Sequence, residues 1–123
     1  MKDNMTTTKT GPMSTRTTAE IIGQLSEHRK QLEGWKLVVG LYSERRSTEE
    51  DLIHAYAVEA CELMQRAMRM LFELGAASIM QQRSSCEHLR RCIAEHDERA
   101  VVLAKLCRQV LGNDGKFREM AGL

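Results

Sequence analysis

Histidine and cysteine side chains recur in the last third of the chain at a spacing that suits metal binding. His88, Cys92 and His96 are four residues apart, so neighbours in this row lie one turn apart if the segment is helical. Imidazole and thiolate are ligands that zinc prefers. The whole row spans two turns and cannot readily converge on one ion, and a full site needs a further ligand such as Cys61. We therefore predict no metal and no cofactor, and keep a thiol- or metal-responsive sensor as an alternative.

Two histidines fall on apolar helical seams. His28 and His96 each lie about eleven residues into a predicted helix, and two parallel helices would place them at similar depth. We interpret them as hydrogen-bonded core groups that fix the register between helices. A pH-sensitive contact is the alternative.

The sequence carries no recognisable catalytic set. It has no Gly-rich phosphate loop, no Gly-x-Ser-x-Gly and no His-Glu-x-x-His motif. Its carboxylates lie beside basic residues, often at the i, i+4 spacing of solvated helix faces, as Glu62 and Arg66 do. We predict that the chain is not an enzyme.

Length and composition are those of one small globular domain. The 123 residues are 42% hydrophobic and 28% charged, but only 4% aromatic, with eight methionines. A core of aliphatic side chains and methionine suits helix packing. The four cysteines form no Cys-x-x-Cys pair and no export signal is recognisable, so we expect reduced thiols in the cytoplasm.

The charge balance and hydropathy argue against two kinds of partner. Eighteen basic and 17 acidic residues give a net charge of +1, whereas nucleic-acid binding usually needs a basic excess. No apolar run approaches the roughly 18 residues of a membrane span. We expect no direct contact with nucleic acid or membrane.

Capping signals and apolar periodicity predict the fold. Residues 1–16 are rich in Thr and contain the single proline, which predicts a flexible tail before one helical domain at residues 17–123. The S/T-x-x-E pattern of a capping box begins at Thr17, Ser47 and Ser84. Heptad-like apolar seams follow each of them and predict helices over about residues 18–44, 48–74 and 85–111. The sequence thus predicts an all-α fold, an antiparallel bundle of three long helices.

Three local features qualify this prediction. Gly75 and Gly112 are expected to end the second and third helices. Residues 75–83 then form a longer link that contains a helical turn, and the tail after Gly112 forms a loop and a short frayed helix. Residues 35–42 have strand-like composition, but the unbroken seam favours a helix there.

The first two helices carry more apolar surface than one seam can bury. At the end of the first helix, the seam and a second face are both apolar, and the second helix has an additional methionine-rich stripe. One interpretation is a helix buried on two sides in the core; the other is a surface for self-association or for a partner. We predict a homo-oligomer whose partner-binding residues are Trp35, Leu37, Val38, Leu41, Tyr42, Met64, Met68 and Phe72.

The organisation of residues 17–111, and especially the stretch from Trp35 through residues 43–47 into the second helix, resembles a known family. It looks like the small helical anti-activators, in particular the QslA-like ones, that sequester LuxR-type quorum-sensing regulators. The resemblance implies a homo-oligomer that binds the regulator and keeps it off DNA. The alternative is a structural assembly subunit.

Overall fold

The computed structural model describes residues 15–112, and within that range the chain forms three helices and no strand. Helix α1 runs over Thr15–Leu41, α2 over Thr48–Ile79 and α3 over Arg83–Leu111. The all-α prediction is confirmed, and residues 35–41 are helical. Most of the predicted flexible tail (residues 1–16) and the segment after Gly112 lie outside the described residues.

Helix α2 is the central element, because both other helices pack against it while α1 and α3 make far fewer backbone contacts with each other. Ile21 near the start of α1 lies beside Gly75 near the end of α2, with its Cδ1 3.7 Å from the position that a Cβ of residue 75 would take. A hydrogen bond joins His28 to Asp97, and an ion pair joins Glu20 to Arg90. The helices therefore run up, down and up, as predicted.

Helix α2 begins where the capping box at Ser47 predicts, and the serine half of that box forms. Ser47 is extended, and its hydroxyl accepts a hydrogen bond from the Glu50 amide at 3.2 Å. The Glu50 carboxylate accepts from the Arg46 amide at 2.8 Å, one residue before the expected cap amide. The first bond satisfies an amide that the first turn leaves without a helical partner, and the second ties the residue before the cap to the helix.

The other two capping-box predictions are wrong. Thr17 lies inside α1, which already includes Thr15. Helix α3 begins at Arg83, before Ser84, and its N-cap residue Gln82 makes no side-chain capping bond. The S/T-x-x-E pattern is short, and Ser and Thr are tolerated within a helix when tertiary packing favours it.

The prediction that Gly75 ends the second helix is also wrong, because α2 continues to Ile79. The absence of a Cβ at Gly75 leaves room for Ile21 of α1. The link to α3 shrinks to residues 80–82, and Gln81 makes the turn with a positive φ of 58°. Gly112 does end α3, with a φ of 71° that favours glycine.

Buried side chains form two clusters along the bundle. The larger, which we call the main core, joins all three helices and comprises Leu32, Trp35, Val38, Ile53, Ala57, Ala60, Leu63, Met64, Ala100, Leu103, Ala104 and Cys107. The smaller, which we call the end core, lies towards the α2–α3 turn and comprises Ile21, Leu71, Leu74 and Ile93. The N-terminal half of α1 is therefore held by much less apolar packing than its C-terminal half.

Two serines in identical predicted motifs provide a matched test of the capping geometry. Replacing Ser47 by Ala removes the bond to the Glu50 amide and should lower the free energy of unfolding by about 1 kcal/mol. Ser84→Ala, inside α3, should change it by less than about 0.5 kcal/mol, because Ala is the better helix former. Urea unfolding followed by circular dichroism measures both. An equal loss in the two variants would contradict the assigned start of α3.

Candidate functional surfaces

Three of the eight predicted partner-binding residues are completely buried within the chain. Trp35, Val38 and Met64 belong to the main core, where no partner can reach them unless the bundle opens. Tyr42 and Met68 are half-buried and pack against the same cluster. For these five residues, the structure favours the interpretation in which the extra apolar side chains belong to the core and not to a partner surface.

The other three predicted residues are exposed. Leu37 and Leu41 are 60% and 54% exposed on α1, and Phe72 is 64% exposed on α2. Leu37 and Leu41 are one helical turn apart and lie at the end of α1 that leads into the α1–α2 turn. We call them the turn-end pair. These three residues remain candidates for contact with another chain.

The structure does not bring the exposed candidates together on one surface. Phe72 follows the start of α2 at Thr48 by 24 residues, which corresponds to about 36 Å along the helix axis. The turn-end pair lies at the opposite end of this antiparallel pair of helices. The exposed candidates therefore lie on two separate surfaces.

Two further exposed apolar residues, Ile22 of α1 and Ile79 of α2, lie towards the same end of the bundle as Phe72, and the sequence pattern predicted neither as a contact residue. Phe72, Gly75 and Ile79 share one face of α2, because they follow each other by three and four residues. Ile21 of α1 contacts Gly75 on that face, and the next residue, Ile22, is exposed. We call Ile22, Phe72 and Ile79 the end patch; their side chains are 61%, 64% and 49% exposed.

Of the three residues in the end patch, apolar periodicity predicted only Phe72 as a contact residue. Ile79 falls beyond the predicted end of the second helix at Gly75, so its face was not assigned. Ile22 follows a seam residue directly and lies about 100° around the helix from it. Extending the second helix through Gly75 would have placed Ile79 on the Phe72 face.

A cleft of about 360 Å³, lined by both polar and apolar side chains, separates α1 from α3. Its floor includes Leu74 and Ile93 of the end core, and its walls carry His28, Glu27 and Asp97.

His28 is 4% exposed and is the one polar side chain that is buried within residues 15–112. Its partner on α3 is Asp97 rather than His96, whose Nδ1 instead faces the carbonyl of Cys92 at 2.8 Å. The predicted role of His28 as a hydrogen-bonded core group agrees with this geometry.

The histidine and cysteine row of α3 does not form a metal site in the described residues. The Cys92 Sγ lies 3.6 Å from His88 Nε2, so these two side chains do meet across one turn. Within residues 15–112, however, no three side chains of His, Cys, Asp or Glu are placed to hold one ion. Cys61, the further ligand considered from the sequence, lies on α2 and packs against the main core.

The four thiols are free and differ in their environments. Burial raises the pKa of Cys107 to about 12, against a small lowering by Arg108. Burial also raises the pKa of Cys61, with Lys36 opposing and Glu62 reinforcing the shift. Because the thiolate is the reactive form, neither residue is suited to sense oxidants or electrophiles. Cys86 and Cys92 are the thiols left for such a role.

Comparison with known proteins returned no match. No protein-family model matches the sequence, and no curated protein or solved structure is significantly similar to it. Within residues 15–112, no helix is both long and apolar enough to cross a membrane.

The thiol environments predict an order of alkylation. Iodoacetamide at pH 8 should modify Cys86 and Cys92 in the native protein while Cys107 stays unmodified, because Cys107 is buried and its pKa is about 12. All four thiols should react in denaturant. Peptide mass spectrometry measures the modified fractions. Early modification of Cys107 under native conditions would contradict its position in the main core.

Proposed function

We propose that this chain is a regulatory protein-binding protein that self-associates and sequesters a transcription regulator in the cytoplasm. The observation that supports the proposal most is the end patch, where three large apolar side chains of the packed helices α1 and α2 are about half or more exposed towards one end of the bundle. Exposed apolar clusters of this kind are typical of protein–protein interaction sites. The part of the proposal that names a transcription regulator as the partner rests on the resemblance to QslA-like anti-activators.

Charge supports a protein partner over a nucleic acid. The net charge of +1 leaves no basic excess to neutralise phosphates. The anti-activator would therefore act on the regulator itself, by covering a surface that the regulator needs for DNA binding or for its own dimerisation.

The end patch is proposed as the surface for self-association, and the turn-end pair as the surface left for the regulator. An apolar face beside a helix seam can accept a helix of a second copy, and Phe72 supplies a large aromatic anchor of the kind enriched in interfaces. The turn-end pair lies at the far end of the hairpin and stays accessible in such an assembly.

Replacing Phe72 by Arg should abolish self-association. Wild-type protein is expected to scatter light as a dimer or higher oligomer at micromolar concentration, and the variant as a particle of 14.0 kDa. A charge without a partner in the contact costs several kcal/mol. Helical content by circular dichroism should stay at the wild-type value, because the Phe72 side chain is exposed in the single chain.

Two further variants make the assignment specific. Val102→Arg is the matched control, since Val102 is an exposed apolar residue on α3, and it should leave the oligomer intact. Leu41→Arg should also leave the oligomer intact but weaken capture of the regulator. If Leu41→Arg instead yields the monomer and Phe72→Arg does not, the turn-end pair is the self-association surface. A wild-type monomer at high concentration would contradict self-association altogether.

A further inference from the structure

His28 joins two helices whose backbones make few contacts with each other. Its ring lies in the cleft between α1 and α3 and is almost completely buried. Nε2 lies 2.7 Å from Oδ1 of Asp97 on α3, and Nδ1 lies 2.6 Å from the Gln24 carbonyl on α1. One side chain thus connects the middle of α1 to the middle of α3.

The two partners of His28 determine its protonation state. A carbonyl and a carboxylate can only accept hydrogen bonds, so both ring nitrogens must donate. Only the imidazolium carries protons on both nitrogens. Loss of one proton removes one of the two bonds and leaves a nitrogen lone pair facing an oxygen at under 3 Å.

The segment of α1 before His28 contributes little to the apolar cores. Ile21 and the half-buried Leu25 are its contacts with the end core, whereas the main core takes Leu32, Trp35 and Val38 from the other half of the helix. The second tie to α3, between Glu20 and Arg90 at 3.3 Å, is a partly exposed pair of the kind that contributes little. Gly23 further lowers the helical propensity of this segment.

We propose that protonated His28 is a pH-dependent latch: it holds the N-terminal half of α1 against α3, and its deprotonation lets that half open away from the end core. Opening would expose Ile21, Leu74 and Ile93 along the α1–α3 cleft.

The charges around His28 favour the protonated form in the closed state. The hydrogen bond to Asp97 raises the His28 pKa most; desolvation opposes it, and Gln24, the Asp97 charge and Glu27 add to the rise. Glu20 and Arg90 also line the cleft and are paired with each other, and α2 contributes the apolar Leu74 there. Because the pKa is raised on folding, the latch is complete below the unfolded value of 6.5 and is lost as pH rises through the folded pKa.

The test combines a titration with hydrogen exchange on the full chain. The His28 pKa is measured by NMR, and amide protection is measured at several pH values after correction for intrinsic exchange rates. We expect protection over residues 18–28 to fall with rising pH relative to protection over residues 32–38. Each unit by which the His28 pKa exceeds 6.5 corresponds to about a tenfold change in the opening equilibrium, so the titration fixes the size of the expected fall.

Three variants separate a latch from a merely structural contact. His28→Gln should make the protection ratio independent of pH, and Asp97→Asn should lower the His28 pKa and weaken the dependence. His88→Gln, which changes an exposed histidine on α3, should keep the wild-type dependence. A His28 pKa at or below 6.5 in the wild type overturns the latch, and this measurement needs no variant to fold. A raised pKa with a pH-independent protection ratio overturns it as well.

Discussion

The requirement to cover α2 on two sides governs the rest of the structure. Its buried residues spread over a wide arc and include four alanines, Ala57, Ala60, Ala67 and Ala77. Small side chains let neighbouring helices approach closely, and larger residues from α1 and α3, such as Trp35 and Leu103, fill the space beside them. One helix cannot cover such an arc. Both α1 and α3 therefore pack on α2, and this leaves them apart from each other.

The cleft between α1 and α3 follows from that arrangement. Where α1 and α3 face each other without close backbone packing, the intervening space is lined by charged and amide side chains over an apolar floor. His28 is the residue that this geometry buries, and burial of a polar group is costly unless its hydrogen bonds are made. Asp97 and the Gln24 carbonyl provide them. Because both acceptors need a proton on the nitrogen that faces them, the contact that His28 makes between α1 and α3 depends on pH.

The sequence predicted where the helices lie, but it did not predict which of their apolar faces are buried and which are exposed. Helix α2 shows the reason. The stripe from Ala57 to Phe72 steps by three or four residues and spans 15 positions, which turns the stripe by about 60° around a helix of 3.6 residues per turn. It begins in the main core at Ala57 and Met64, passes half-buried Met68, and ends exposed at Phe72. Periodicity alone does not predict at which residue this turning stripe leaves the core. On α1, Val38 lies with Trp35 in the core rather than with Leu37 and Leu41, because the packing of three helices, not one seam, defines the buried arc there.

The end core, the end patch and the His28 tie all involve the N-terminal half of α1. Ile21 packs in the end core, Ile22 contributes to the end patch, and His28 closes the segment onto α3. A chain that binds the end patch as it is formed here must select the conformation in which this half of α1 is closed, because Ile22 leaves the patch when the segment opens. Coupled equilibria are reciprocal, so such binding must raise the proton affinity of His28, and protonation must strengthen the binding by the same factor. Self-association through the end patch would therefore become tighter as the pH falls, whereas association through the turn-end pair, on the other half of α1, would not.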